Sequence, residues 1–204
     1  MTERGMIFNA EMVRALLDGR KTQTRRPIKW KQTRFTEIGE REDGSKWPWS
    51  EDAEHACDFW HPCPFGAVGD RIWVREAFRV HSRATDVATL VYKASERNSW
   101  TEQTRRVPVA VCNKPATPEK WTPSLHMPRW ASRILLEITD VRVERLRSMS
   151  QDDARAEGVI AASGPMEAGL AFRELWDSIY GEESWKANPW VWVIEFKRVE
   201  GGAA

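Results

Sequence analysis

The 204-residue sequence has few cysteines, few tyrosines, no long apolar run and almost no net charge. Its three cysteines, at positions 57, 63 and 112, are too few for a disulfide framework, which favours a reducing compartment. Because it shows no signal peptide, lipidation motif or apolar run of membrane-spanning length, we expect a soluble, cytoplasmic protein that contacts no membrane. Lys and Arg number 31 against 30 Asp and Glu, a net charge of +1. Attraction to nucleic acid through overall charge is thereby excluded, and such binding needs a local basic patch.

Tryptophan, in contrast, is abundant, with twelve residues against two tyrosines. Its large side chain serves mainly in packing, and it also stacks on bases and cations. The hydrophobic fraction of 41% is enough for one core, so the length fits a single domain with insertions. We predict one domain over residues 1–200, polar insertions at about 31–62 and 95–130, and a frayed tail at 201–204.

Cationic and hydroxyl side chains are concentrated in residues 19–26, Gly-Arg-Lys-Thr-Gln-Thr-Arg-Arg. A short helix is predicted just before them, because Asn9 is a favourable N-cap and an apolar helical face follows it. That face comprises Met12, Val13, Leu16 and Leu17. Gly19 supplies the left-handed residue that ends such a helix, and cations are favoured beyond a helix C-terminus.

Beyond Gly19, alternating residue types predict an extended segment that ends at Pro27. An extended chain points alternate side chains to opposite sides, unless a tight turn brings a Lys and a Thr three positions apart together. One side then holds Lys21, Gln23 and Arg25, and the other holds Thr22, Thr24 and Arg26. A solvated basic loop is the alternative, since most surface charges have no further role.

The rest of the pattern predicts mostly strands, with two further helices, and so the α+β class. Strands are expected at residues 6–8, 67–76, 88–93, 133–140, 141–146 and 190–196. A short helix is predicted from a Ser150 cap to a Gly158 stop. A longer helix begins at about residue 165, and its inward face is expected to comprise Leu170, Leu175, Trp176 and Ile179. Residues 31–61 are expected to be partly irregular.

Gly19, Lys21, Thr24 and Arg26 form the pattern Gly-x-Lys-x-x-Thr-x-Arg after a short helix. This pattern resembles the signature of the ASCH (ASC homology) domain family. Three further stretches are similar to that family: the Gly-Asp turn at 69–70, residues 146–158, and the closing helix and strand up to residue 196. The resemblance implies an α+β, PUA-like mixed β-barrel with a few flanking helices. The two polar insertions have no counterpart in the smallest family members.

Some compact bacterial ASCH proteins are N4-acetylcytidine amidohydrolases, and the resemblance implies a larger, phage- or prophage-type relative that hydrolyses an N-acyl amide on a nucleobase. It implies Lys21 as proton acceptor, Thr24 as nucleophile and Glu157 as proton donor. A Thr hydroxyl needs a base, and burial or nearby cations lower the pKa of a Lys enough for that role. Further contacts to substrate or nucleic acid are expected from Arg25, Arg26, Trp73, Glu76 and Arg129. No cofactor is expected.

Binding without turnover is the main alternative, because it uses the same residues. Lys21, Arg25 and Arg26 would then hold phosphates of RNA or DNA, with RNA favoured, while tryptophans stack on bases. A ribonuclease-like ASCH protein is a further alternative. A Trp-rich phage interaction protein ranks last, since it gives the basic stretch no role. The modified base and the oligomeric state stay open.

Two His and two Cys within nine residues form the candidate metal cluster of this sequence. These residues, which are suitable ligands for tetrahedral zinc, are His55, Cys57, His61 and Cys63. Their spacing lacks the usual Cys-x-x-Cys pairs, and prolines at 62 and 64 stiffen the second half. We therefore expect no metal and keep structural zinc as the alternative.

Overall fold

A computed structural model describes residues 1–29, 36–52, 57–160 and 167–199, apart from the side chains of residues 36, 52, 57 and 58. Within these ranges the chain is α+β, as predicted, with many strands and few helices. No sheet of the described residues closes into a barrel, in contrast to the mixed β-barrel that the resemblance implies. No helix in this part of the chain is long and apolar enough to cross a membrane. The chain divides into two compact units. Of the described residues, the first unit holds 1–19, 71–137 and 198–199, and the second holds 20–29, 36–52, 57–70, 138–160 and 167–197.

The helices and strands of the described residues are as follows. The strands are β1 (Glu3–Ile7), β2 (Gln23–Pro27), β3 (Thr36–Glu40), β4 (Lys46–Asp52), β5 (Cys57–Trp60), β6 (Arg71–Arg75), β7 (Phe78–Arg83), β8 (Val87–Tyr92), β9 (Thr104–Pro108), β10 (Leu135–Arg145) and β11 (Trp190–Arg198). The α-helices are α1 (Ala10–Leu17), α2 (Trp100–Gln103), α3 (Gln151–Ala156), α4 (Glu167–Tyr180) and α5 (Glu182–Ala187). Short 3-10 helices lie at Lys93–Ser95, Ser124–His126, Arg129–Ala131 and Leu146–Ser148.

In the first unit, β6 lies between β1 and the start of β10. β1 runs parallel to β6, whereas β10 runs antiparallel to it and places Leu135 opposite Trp73. The strands β7, β8 and β9 form a separate antiparallel sheet. Side-chain alternation along β7 buries Phe78 and Val80, and this face of the sheet forms the core of the unit.

In the second unit, β11 lies between β10 and β2. It runs antiparallel to β2, with Ile194 opposite Thr24, and its residues 191–194 are buried. The helices α3 and α4 complete this core, which includes Ala154, Phe172 and Trp176. A second antiparallel sheet, β3–β4–β5, belongs to the same unit. The fold therefore places the end of α3 and the start of β2 in one packed unit.

Several local predictions are confirmed. Asn9 caps α1, and its side chain accepts the Met12 N–H at 2.8 Å. Gly19 follows the helix with a φ of 74°, a conformation that Gly adopts without strain. Ser150 caps α3, and Gly158 lies just beyond it with a φ of 88°. These features depend on neighbouring residues alone, which is why the sequence predicts them.

One other local prediction is wrong, and one region contains strands that were not predicted. The two strands expected at 133–140 and 141–146 are a single strand, β10, which spans Leu135–Arg145 without a break. Part of the region expected to be irregular forms β3, β4 and β5, where Trp49 lies opposite Trp60. Cross-strand pairing of this kind stabilises a strand whose local sequence is unremarkable. The predicted tail at 201–204 lies outside the described residues.

The inward face of α4 also differs from the prediction. Leu170 and Ile179 are exposed, at 60% and 42%, whereas Ala168, Phe172 and Trp176 are buried. The buried residues are spaced four apart and form one stripe along the helix. Packing in the core that contains α3 and β11 selects this stripe over the neighbouring one.

Candidate functional site

The main chain around Lys21 is held by hydrogen bonds to elements far away in sequence. Lys21 forms an antiparallel bridge with Glu157. The next residue, Thr22, donates its N–H to Ala156 O at 2.8 Å, and its carbonyl accepts the Phe196 N–H at 2.9 Å. The start of β2 is thus fixed between the end of α3 and β11.

Glu157 is positioned by the way in which α3 begins and ends. Ser150 and Asp153 form a capping box at the N-terminus, so the helix has a defined start. At the other end Glu157 keeps a helical backbone and donates its N–H to Asp153 O at 3.0 Å. Gly158 then turns the chain away, and Arg20 holds its carbonyl at 2.6 Å.

The side chains of Lys21 and Glu157 form a buried ion pair. Lys21 Nζ donates to Glu157 Oε2 at 2.8 Å and to the Glu157 carbonyl at 2.9 Å. The two residues are only 3% and 2% exposed. Burial lowers the pKa of Lys21 below its ordinary value, the Glu157 charge opposes this shift, and the nearby Arg26 and Arg25 charges add to it. Lys21 is thus a chemically tuned amine.

Arg25 extends this pair into a network on the same side of β2. Its fully buried side chain lies 3.2 Å from Glu144 Oε2, 3.4 Å from Asp153 Oδ1 and 3.5 Å from Glu157 Oε1. Between Lys21 and Arg25, Gln23 donates to the Asp153 carbonyl at 2.9 Å. The predicted alternation of Lys21, Gln23 and Arg25 onto one side is therefore confirmed.

Asp153 is the carboxylate that links the helix cap to this network. Partial burial raises its pKa, but hydrogen bonds from Ser150 and the charge of Arg25 outweigh that effect and lower the pKa to about 2. Asp153 Oδ1 also lies 3.4 Å from Arg142 Nη2. The ionised Asp153 carboxylate is therefore stabilised by several donors at once.

A carboxylate cluster surrounds Arg142 at the half-buried edge of the network. Ion pairs of 2.5–3.4 Å connect Arg142 with Asp140, Glu144, Asp153 and Glu195. With Glu157 there are five carboxylates for three cations, Lys21, Arg25 and Arg142. At this edge four carboxylates surround Arg142, so the edge presents mainly hydrogen-bond acceptors.

Sequence reasoning missed the residues of this carboxylate cluster. The alternation of Arg142 and Glu144 in β10 places them on one face, and the capping box identifies Asp153 as an ordered carboxylate. These local signals are present in the sequence and could have identified Arg142, Glu144 and Asp153. For Glu195 no local signal exists, because its place beside Arg142 depends on the pairing of β11 with its neighbours.

Thr24 and Arg26 lie on the other side of β2 from Lys21. Thr24 is 1% exposed, and its strand partner is Ile194 in β11. Within the described residues the Thr24 hydroxyl makes no hydrogen bond to Lys21 or Glu157, the two residues predicted to act with it in catalysis. Arg26 is half-buried. The structure therefore brings Lys21, Arg25 and Glu157 together and leaves Thr24 apart from them.

The three remaining predicted site residues belong to the first unit, and each contacts another residue of that unit. Glu76 is buried and forms two hydrogen bonds with Arg133, at 2.9 and 3.0 Å. Burial raises its pKa, and the Arg133 contact opposes that shift. Arg129 pairs with Glu3 at 2.9 Å, and Trp73 is half-buried beneath Arg75.

The candidate zinc cluster is only partly within the described residues. His55 and the Cys57 side chain lie outside them. Of the other two, His61 Nε2 lies 2.8 Å from Ser50 Oγ, and Cys63 is a buried free thiol. In the part of the chain that the structure covers, no three His, Cys, Asp or Glu side chains are arranged to hold a metal ion.

The arrangement combines a buried, tuned amine with a carboxylate in direct contact, and hydrogen-bond acceptors at its edge. Such a pair can take a proton from one group and return it to another. The half-buried carboxylates can accept N–H groups of a ligand. No protein-family model, curated protein or solved structure matches this chain.

Proposed function

We propose that this chain is an ASCH-type, PUA-like protein that binds a modified nucleoside and hydrolyses an N-acyl amide on its base. The observation that carries the proposal is the buried contact of Lys21 Nζ with Glu157 Oε2 at 2.8 Å. Burying two charges costs free energy that an apolar pair would not, and perturbed ionisable groups are concentrated at functional sites. The motif that resembles the ASCH signature contains Lys21 itself.

In the proposed reaction, one proton of the Lys21 ammonium first passes to Glu157 across their 2.8 Å hydrogen bond, which leaves a neutral amine beside a carboxylic acid. The two proton transfers that follow restore the ion pair. Lys21, with its lowered pKa, takes a proton from the attacking hydroxyl group, which bonds to the amide carbon. Glu157 passes a proton to the departing nitrogen as the carbon–nitrogen bond breaks. The acyl group leaves as a carboxylic acid, and the base keeps its amine, so that one water is consumed overall.

The attacking hydroxyl is assigned to water. The ASCH resemblance implies Thr24 in this role, yet a nucleophile must lie within hydrogen-bond reach of its base. Thr24 lies on the face of β2 opposite to Lys21, whereas a water on the Lys21 side meets this requirement. Thr24 is then a structural residue, and a variant without the Thr24 hydroxyl distinguishes water from Thr24 as the nucleophile.

The charge of the network supports a nucleoside over a polymer at this site. At the half-buried edge four carboxylates surround Arg142, so a phosphate that approached this edge would be repelled. Carboxylates at half-buried positions, such as Glu144, suit the amino and amide N–H groups of a cytosine-like base. Lys21 and Arg25 are themselves buried and paired with carboxylates, which leaves neither facing a phosphate.

Binding without turnover is the second candidate function, and the depth of the ion pair favours it. Lys21 and Glu157 are 3% and 2% exposed, so a substrate reaches them only after neighbouring side chains move. If these side chains stay in place, the ligand contacts the carboxylate cluster alone. In that case the base is recognised and its acyl group is retained.

The test is incubation of N4-acetylcytidine with purified wild type, Lys21→Met and Glu157→Gln, followed by mass spectrometry. We expect wild type to remove the acetyl group and both variants to lose at least about a hundredfold in rate, the usual contribution of a general acid or base. Arg155→Gln is the matched control, because Arg155 is an exposed cation of the same helix. Thermal denaturation verifies that each variant is folded.

Retention of the acetyl group by wild type, with binding detected by calorimetry, would select the second candidate. Absence of both binding and hydrolysis would reject the proposed site. Equal loss of rate in Arg155→Gln would show that the variants act through α3 rather than through the ion pair.

A further inference from the structure

The first unit contains a strongly basic span. Residues 78–133 hold ten Lys and Arg against four Asp and Glu, although the whole chain has a net charge of only +1. The remainder of the chain is therefore acidic on balance. This span includes β7, β8, β9 and the segments that follow them, none of which contributes to the Lys21–Glu157 network.

Two cations of this span lie on the outer face of the β7–β8–β9 sheet. Phe78 and Val107 point into the core of the unit. Because side chains alternate along a strand, Arg79 and His81 in β7 and Arg106 in β9 lie on the opposite face. Arg106 is exposed, and Arg79 is half-buried.

The charges of these two arginines are not neutralised by acids. Over the described ranges, the side chains of Arg79 and Arg106 form no ion pair and no hydrogen bond. By contrast, Arg133 in the same unit is bound to the carboxylate of Glu76 by two hydrogen bonds. Arg79 and Arg106 therefore keep donors for an anion that approaches from outside.

Aromatic rings lie beside these cations. The Arg79 guanidinium lies 4.6 Å from the centre of the Trp121 ring. The His81 ring meets Trp100 edge-on at 5.1 Å, and Trp100 is 53% exposed. We call this surface the basic Trp face, and it comprises Arg79, His81, Trp100, Arg106 and Trp121.

We propose that the basic Trp face binds single-stranded nucleic acid. Arg79 and Arg106 would contact backbone phosphates, and the exposed ring of Trp100 would stack on a base. A single strand fits better than a duplex, because stacking of the base pairs within a duplex covers the faces of the bases. An acidic protein satisfies the charges but offers no flat base for Trp100. The inference depends on the first unit alone and does not rest on the Lys21–Glu157 chemistry.

The test is fluorescence anisotropy with short labelled oligouridylate and oligothymidylate, titrated with the full chain at a series of salt concentrations. Trp100→Ala is expected to weaken binding by at least about fivefold, the usual effect of losing one stacked base. The double variant Arg79→Gln/Arg106→Gln is expected to reduce the slope of log affinity against log salt by about 1.4, as for two lost phosphate contacts on a single strand.

Two matched controls come from the second unit. Phe59 is 51% exposed and meets His61 edge-on at 4.8 Å. Phe59→Ala therefore removes an exposed aromatic ring beside a histidine, as Trp100→Ala does, but outside the basic Trp face. Arg147→Gln removes an exposed arginine in the same way. Both controls are expected to bind the oligonucleotides as wild type does. If the proposed activity exists, Trp100→Ala is expected to hydrolyse free N4-acetylcytidine at the wild-type rate.

Unchanged oligonucleotide affinity in Trp100→Ala, together with an unchanged salt slope in Arg79→Gln/Arg106→Gln, would overturn the proposal. Equal losses in the controls would also overturn it, since they would indicate general attraction of a polyanion. The same holds if an acidic peptide or heparin displaces the strand equally from wild type and Trp100→Ala, because stacking would then have no part. Failure of N4-acetylcytidine hydrolysis with retained oligonucleotide binding would reject only the proposed enzymatic function.

Discussion

Lys21 and Glu157 are 136 positions apart in the sequence, yet their side chains share a hydrogen bond of 2.8 Å with almost no exposure to solvent. Arg25 reaches the second oxygen of the same carboxylate at 3.5 Å. A buried ion pair contributes little net stability compared with apolar residues of the same volume, whereas breaking one is costly. The pair therefore adds little net stability, but it dominates the behaviour expected of variants that remove one partner.

The first prediction concerns the coupling between these two side chains. Lys21→Met and Glu157→Gln are each expected to lower the free energy of unfolding by about 3–5 kcal/mol, since each leaves a buried partner uncompensated. The double variant is expected to cost less than the sum of the two, by about 1–3 kcal/mol, because it removes both charges together. Urea denaturation of the four proteins measures these values. Additive losses would contradict a direct interaction.

The second prediction concerns the pH dependence of stability that Asp153 produces. Its pKa of about 2 in the folded chain lies below the value of about 3.9 in an unfolded chain. The unfolded state therefore binds the proton first as the pH falls, so the contribution of Asp153 is present above pH 4 and is lost between about pH 4 and 2.

Melting temperatures measured from pH 6 to pH 2 test this expectation. Asp153→Asn is expected to be less stable than wild type at neutral pH and to lose less stability on acidification. Asp152→Asn is the matched control, because Asp152 is the neighbouring residue on α3 and its side chain is 92% exposed. An identical acid profile for wild type and Asp153→Asn would show that other carboxylates govern the transition.

The third prediction compares two ion pairs within the first unit. Arg133→Met leaves the buried Glu76 carboxylate without its two hydrogen bonds and is expected to cost about 3–5 kcal/mol. Arg129→Met breaks the pair with Glu3, whose side chains are 40% and 37% exposed, and is expected to cost about 0–1 kcal/mol. Chemical denaturation of both variants gives the comparison. Similar costs would mean that burial does not distinguish these pairs.

The fourth prediction separates the two possible nucleophiles of the proposed reaction. Thr24→Val removes the hydroxyl and preserves the shape of a side chain that is 1% exposed in β2. Because the attack is assigned to water, this variant is expected to hydrolyse N4-acetylcytidine within about threefold of the wild-type rate, the spread of context effects on a nearby site. Thr24→Ser serves as the control that keeps a hydroxyl. A loss of a hundredfold or more in Thr24→Val alone would assign the attack to Thr24.

Local features of the fold follow from the sequence because neighbouring residues determine them. The Asn9 cap, the left-handed Gly19 and the Ser150 cap each satisfy hydrogen bonds or dihedral angles within a few residues. The alternation of Lys21 and Arg25 onto one side of β2 follows in the same way from the period of an extended chain. These features were predictable without knowledge of the fold.

The contacts between distant segments could not be predicted in this way. The stripe of α4 that faces the core, with Phe172 buried and Leu170 exposed, is selected by packing against other elements. The sheet β3–β4–β5 depends on pairing such as that of Trp49 with Trp60. The position of Glu195 beside Arg142 likewise depends on the order of the strands.

The sequence by itself determined the helix ends, the extended basic segment and the side of β2 on which Lys21 lies, since these depend on backbone geometry over a few residues. Only the tertiary structure decided that Glu157 is the partner of Lys21, that Thr24 faces away from both, and that carboxylates surround Arg142. Charges that are far apart in the sequence meet through strand order and core packing, and neither is encoded in any short segment of the chain.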